Sequence, residues 1–211
     1  MNLQALAAAR RAPDVKALAP GVYRELKAQP ASVRNRFCTE LWQSGRWQEW
    51  GLACYVYRRF ARSCGAAEFR LFERWLDGYV NTWANCDGLS AWLFAAALEN
   101  QPKLIDELPA WTRSKNRWRR RAAAVSLLRE AAAGRNLAVI FDIADRLAED
   151  RDDLVEKGVG WLLKVAYPPQ PEAVVEFVLQ NRRRFSRTTL RYAAEKMTPA
   201  DRAKVLDQAP R

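Results

Sequence analysis

Across its 211 residues the chain has no alternating β-branched run bounded by turn dipeptides, which is the pattern a strand and hairpin require. Apolar residues instead recur at helical spacing, and Pro and Gly punctuate them. The pattern predicts helices at about 2–11, 20–28, 31–44, 46–63, 66–77, 79–99, 102–113, 116–133, 136–149, 152–167, 170–183, 186–197 and 199–208. Several starts are well marked: Pro30-Ala31-Ser32, Ser186, and Thr198 as N-cap ahead of Pro199. No composition shift or flexible linker divides the chain, so residues 1–211 read as one all-α domain. Short helices joined by short turns suggest antiparallel pairs. The small residues Ala53, Gly88, Ala123 and Gly160 recur at near-constant spacing, each in the second helix of a proposed pair. That period is close to that of helical repeats, which stack into a curved α-solenoid with a concave face, and a compact bundle is the other architecture the pattern allows.

Charge narrows the partners. Lys and Arg number 35 against 24 Asp and Glu, a formal excess of +11. An excess of that size in a small domain implies an anionic partner, nucleic acid or a membrane surface. No apolar run reaches the length of a membrane span. At the N-terminus the charges follow the apolar part, the reverse of a secretory signal, so a cytoplasmic location is expected. There is no histidine, and Cys38, Cys54, Cys64 and Cys86 form no C-x-x-C pair. Most zinc-site patterns and every Ser-His or Cys-His nucleophile are thereby excluded. The cysteines are expected to be reduced and buried. Any chemistry falls to carboxylates, Lys, Arg, Tyr or an activated water.

Four segments could carry it. In NTWANCDGLS, residues 81–90, Trp83 and Asp87 stand one helical turn apart, and Ser90 and Phe94 continue the same face. Spacing alone favours a solvent-facing Asp beside a core Trp. In RSKNRWRRRAAAVSLL, residues 113–128, Arg121 falls in the apolar stripe between Trp118, Val125 and Leu128, whereas Arg119 and Arg120 point elsewhere. A buried-side arginine needs an anionic partner, either an internal carboxylate or a phosphate. In DDLVEKGVGWLLKVAYPP, residues 152–169, Lys157, Trp161 and Lys164 share a face. Gly158 and Gly160 beside them cost helix stability, which suggests that something approaches the backbone closely, a ligand or a neighbouring helix. Finally RRRFSRTTLRYAAEKM, residues 182–197, adds Arg187 and Arg191 to the positive surface.

Taken in order, the blocks LWQSGRWQEWGLA at 41–53, WANCD at 83–87, WTRSKNRWRRRAAAV at 111–125, DDLVEKGVGWLLK at 152–164 and FSRTTLRYAAEKM at 185–197 resemble the DNA alkylation repair glycosylases with HEAT-like repeats, the AlkD-like proteins. The resemblance implies an α-solenoid whose concave basic groove holds duplex DNA containing alkylated bases. It implies excision of cationic N3- or N7-alkylated purines by a monofunctional glycosylase working as a monomer, with no metal and no organic cofactor. It puts the catalytic carboxylate on Asp87, the groove tryptophans on Trp83 and Trp161, and the family arginine on Arg121. Arg120, Lys157, Lys164 and Arg187 are the further DNA contacts expected. A noncatalytic helical-repeat protein that binds DNA structure or a protein partner is the alternative. Two positions depart from the family pattern: Thr82 stands where a second Trp is common, and Asn85 where another Asp is common.

Overall fold

The computed structural model describes residues 3–206. Among them every regular element is a helix. The chain divides into two compact units, Met1–Pro102 and Lys103–Arg211.

The first unit contains α1 (Leu3–Ala8), α2 (Ala12–Leu26), α3 (Ala31–Gln43), α4 (Trp47–Arg59), α5 (Ala66–Gly78), α6 (Trp83–Gly88) and α7 (Ala95–Asn100). Helix α4 is its centre. It packs against α2, α3 and α6, and it buries Leu52, Ala53, Cys54, Val56 and Tyr57 completely. Around it lies an aromatic core: Trp42 stacks on Trp75 at 5.7 Å, and Tyr57 meets Trp75 edge-on at 5.5 Å. Such pairs add to the large apolar area that aromatic rings remove from water. The one ion pair described inside this core, Arg34–Glu68 at 3.0 Å, is held twice over. The guanidinium lies 4.7 Å from the Phe60 ring, and Glu68 also accepts the Gly65 N–H at the start of α5.

Helix α2 starts eight residues earlier than the sequence predicts and runs through Pro20. Proline removes one helical hydrogen bond and crowds the preceding turn. The buried stripe Val15, Ala19, Val22 and Leu26, pressed against α4, outweighs that cost. The predicted helix at 79–99 starts instead at Trp83, because Thr82 caps it. It then widens into a π-turn over Leu89–Phe94, where the Ala95 N–H donates to the Ser90 carbonyl, before continuing as α7.

The second unit contains α8 (Leu108–Trp111), α9 (Arg117–Val125), α10 (Leu128–Ala132), α11 (Leu137–Arg146), α12 (Asp153–Ala166), α13 (Pro171–Asn181), α14 (Arg187–Ala193) and α15 (Pro199–Leu206). Its centre is α12, packed between α9 and α14. Three starts are side-chain capped: Asn116 accepts the Trp118 N–H, Asp152 the Leu154 N–H, and Ser186 the Thr189 N–H. Thr198 likewise accepts the Asp201 N–H ahead of Pro199.

Candidate active site and nucleic-acid interface

In the first unit the site is built on α6. Thr82 and Asn85 form a reciprocal cap: the Asn85 N–H donates to Thr82 Oγ1 at 3.3 Å, and the Thr82 N–H donates to Asn85 Oδ1 at 3.0 Å. Asn85 is buried, and its amide also donates to Asn81 Oδ1 at 3.1 Å. The two departures from the family pattern are therefore partners, and together they fix where α6 begins. That start makes Trp83 the first helical residue. With little helix ahead of it to pack against, its indole is 59% exposed. The reading that made it a core Trp is overturned. Asp87, one turn on, is half-buried. An apolar ring this exposed beside a carboxylate is the kind of surface that invites a ligand.

Ser90 and Phe94 do not continue this face, and both are fully buried. Both lie within the π-turn. A wide turn accommodates one residue more than an α-turn and so rotates all that follows about the helix axis. The change begins directly after Asp87 and Gly88, leaving Trp83 and Asp87 on one edge while the next turn enters the core. Such turns recur at functional positions.

In the second unit α9 and α12 carry the remaining residues. Arg120 is tied inward: its Nε donates to Asp150 Oδ2 at 2.6 Å, and Nη1 donates to the Ser114 carbonyl at 2.9 Å. Arg121 is 5% exposed and donates to the Leu154 carbonyl. Its expected phosphate role thus meets an enclosed geometry. Gly158 lies against it: a Cβ there would stand 3.4 Å from Arg121 Cγ, an ordinary packing distance. Gly160 admits α14: a Cβ there would collide with Tyr192 and lie 2.8 Å from the Thr189 carbonyl oxygen. Of the two approaches the sequence left open for these glycines, the structure displays neighbouring protein at both.

Also on α12, Lys157, Trp161 and Lys164 are all partly exposed. Lys157 pairs with Asp153 at 2.6 Å, and this hydrogen bond raises its pKa. Lys164 pairs with Glu195 at 2.7 Å and lies 5.6 Å from the Tyr192 ring centre. Arg187 is exposed at the first position of α14. A polar cleft of about 390 Å3 joins Lys157 to Thr188, Arg191, Tyr192 and Arg202, with Asp153 and Glu195 also in its walls. Thr188, Tyr192 and Arg202 were not singled out in the sequence. The only available signal was the 3–4 residue spacing of Thr188, Arg191 and Tyr192, and it does not reach Arg202 on α15. Three cations against two carboxylates leave the cleft net positive, which suits the phosphates of a nucleic-acid backbone.

The four cysteines are free and buried. Burial raises the thiol pKa of Cys38, Cys54 and Cys64, that of Cys64 to about 12, so none of these is a ready nucleophile. No described helix is long and apolar enough to cross a membrane.

Stacked helix pairs and no described strand define a helical-repeat protein of the all-α class. The crystal structure of smu.31 from Streptococcus mutans UA159 shares this fold, with a TM-score of 0.66 and 19% identity over 89% of this chain and 92% of that one. No curated protein sequence matches the chain. The chain does match the DNA alkylation repair enzyme family over residues 6–197, nearly its whole length, and belongs to that family. Membership assigns it to DNA alkylation repair, with DNA as its partner.

Proposed function

We propose that the protein is a monofunctional DNA glycosylase that hydrolyses the N-glycosidic bond of cationic N3- or N7-alkylated purines in duplex DNA. The observation that carries this reading is Trp83, 59% exposed, one turn ahead of the half-buried Asp87 carboxylate. A purine alkylated at N3 or N7 is positively charged and departs readily. As the bond from C1′ to the purine breaks, its electron pair leaves with the base and neutralises it, and positive charge grows on the sugar. Asp87 stabilises that charge and orients a water, whose oxygen bonds to C1′ while its proton passes to the carboxylate or to solvent. The exposed indole of Trp83 offers a π face to the cationic nucleotide. The products are the neutral alkylpurine and an abasic sugar.

Trp161, Lys157, Lys164 and Arg187 are assigned to the DNA backbone, joined by Arg191 and Arg202. Arg121 and Arg120 are assigned to support, holding α9 against α12 and against the turn before it. A strand-cleaving lyase would need a neutral lysine as nucleophile. Lys157, kept protonated by Asp153, is poorly suited to that role. In this reading the protein acts as a cytoplasmic monomer.

The test is chromatographic. Methylated duplex DNA is incubated with the wild type or with Asp87→Asn, and released bases are identified. Release by the wild type, reduced at least about a hundredfold in the variant, is expected for loss of a principal electrostatic group. No release by either, with duplex binding intact, would return the protein to the noncatalytic reading.

A further inference from the structure

A second cleft in the second unit lies between α13 and α15, with a volume of about 480 Å3. Its α13 residues form two parallel stripes. Pro171, Val175 and Leu179 recur every fourth residue and make an apolar floor, while Glu172, Glu176 and Gln180, each one position later, make a polar edge beside it. The facing wall is Asp201 and Lys204 of α15. Both glutamates are exposed, and among the described residues neither has an ion-pair partner. Glu176 accepts a hydrogen bond from the neutral Gln180 amide at 3.1 Å. Asp201 is already engaged: it accepts from Tyr167 at 2.8 Å and from Thr198 at 3.0 Å, and the Lys204 ammonium lies 3.1 Å away. Three carboxylates against one ammonium leave this groove net negative, on a chain whose formal charge is +11.

That reversal of sign selects the occupant. DNA is repelled here. Arg202, which stands between Asp201 and Lys204 in the sequence, lines the net-positive cleft instead, so α15 borders two clefts of opposite charge. A metal ion or a polyamine would leave the apolar floor uncovered. A helix uses both stripes. Four residues of an α-helix advance about 6 Å, so apolar side chains at that spacing on a partner match Pro171, Val175 and Leu179. Cations beside them then meet Glu172 and Glu176. An amphipathic helix laid in an apolar groove is a recurring mode of recognition, and complementary charge sets its register.

We propose that the groove between α13 and α15 docks a basic amphipathic helix of a partner protein, with aliphatic side chains on the floor and Lys or Arg against Glu172 and Glu176. None of its lining residues belongs to the glycosylase site. It shares none with the net-positive cleft, so the partner helix and DNA can be held together.

The test uses the full chain without DNA and a labelled peptide in which Leu-Lys-Lys-Leu-Leu-Lys-Leu is repeated, read by fluorescence anisotropy. A control peptide carries Gln in place of every Lys. The positive chain repels the basic peptide as a whole, so a preference for it over the control reports the groove. That preference is expected to be about tenfold. Glu172→Gln/Glu176→Gln, at exposed positions, is expected to abolish it, and Leu179→Gln to weaken both peptides alike, by about five- to tenfold. Equal affinity for the two peptides, or a preference unmoved by the double substitution, overturns the assignment. Spermidine binding as tightly as the basic peptide overturns it in favour of a small-cation site. Self-association of the free chain, abolished by the same double substitution, gives the groove to a second copy and overturns it as well.

Discussion

At the residue scale the two glycines of α12 make opposite demands. A methyl at Gly160 would meet Tyr192 and the Thr189 carbonyl, and that backbone cannot yield without moving α14. Gly160→Ala should destabilise the protein by about 1–3 kcal/mol, the usual cost of overpacking. At Gly158 the neighbours are the Cγ and Nη1 of Arg121, 3.4 and 3.5 Å away, which can shift slightly. Alanine there also gains about 1 kcal/mol of helix propensity, so Gly158→Ala should stay within about 1 kcal/mol of the wild type. Denaturant unfolding of the two variants checks both the order and the sign. That glycine is unusual inside a helix was legible in the sequence. Which of the two is indispensable was not, because the answer lies in Tyr192 and Arg121, each more than thirty residues distant.

At the element scale, turns and caps decide what faces outward. The turn from α10 to α11 is clamped by Glu130, which accepts from Arg135 at 2.8 Å and from Asn136 at 2.8 Å. The Arg135 hydrogen bond is the main cause holding the Glu130 carboxyl below its ordinary pKa of 4.5. A group depressed on folding contributes stability above its unfolded pKa and loses it as pH falls through the folded value. Glu130→Gln should therefore be less stable than the wild type at neutral pH, with the gap closing below about pH 4.5. Thermal unfolding between pH 3 and 7, approximately spanning that window, checks it. The same logic of local elements explains α6. Thr82 and Asn85, read in the sequence only as departures from a family pattern, form a cap that sets the exposure of Trp83. The π-turn left no mark in the periodicity, since Ser90 and Phe94 sit at acceptable α-helical spacing.

At the scale of the whole molecule, the formal charge of +11 implies binding to DNA that weakens steeply with salt. Removing one cation that neutralises a phosphate should flatten the slope of log K against log salt by about 0.9. Arg187→Ala should do so, since Arg187 is exposed on α14. Arg121→Met should leave the slope unchanged while lowering stability, because its guanidinium is enclosed and serves the Leu154 carbonyl. Fluorescence anisotropy across a salt series separates the two. The recurrent small residues also find their meaning at this scale. Ala53, Gly88, Ala123 and Gly160 are all buried, on α4, α6, α9 and α12, where neighbouring helices come close.

Helical periodicity, capping residues and charge excess are properties of neighbours in the chain, so the sequence alone determined the all-α class, most of the helix starts, the one-turn spacing of Trp83 and Asp87, and the basic character. Exposure and enclosure are set by residues far apart in the chain. Only the tertiary structure decided that Trp83 faces solvent, that Arg121 lies beneath α12, and that α13 and α15 enclose one acid-edged groove. These depend on how side chains from separate helices divide the same space, and periodicity within one helix carries no information about that division.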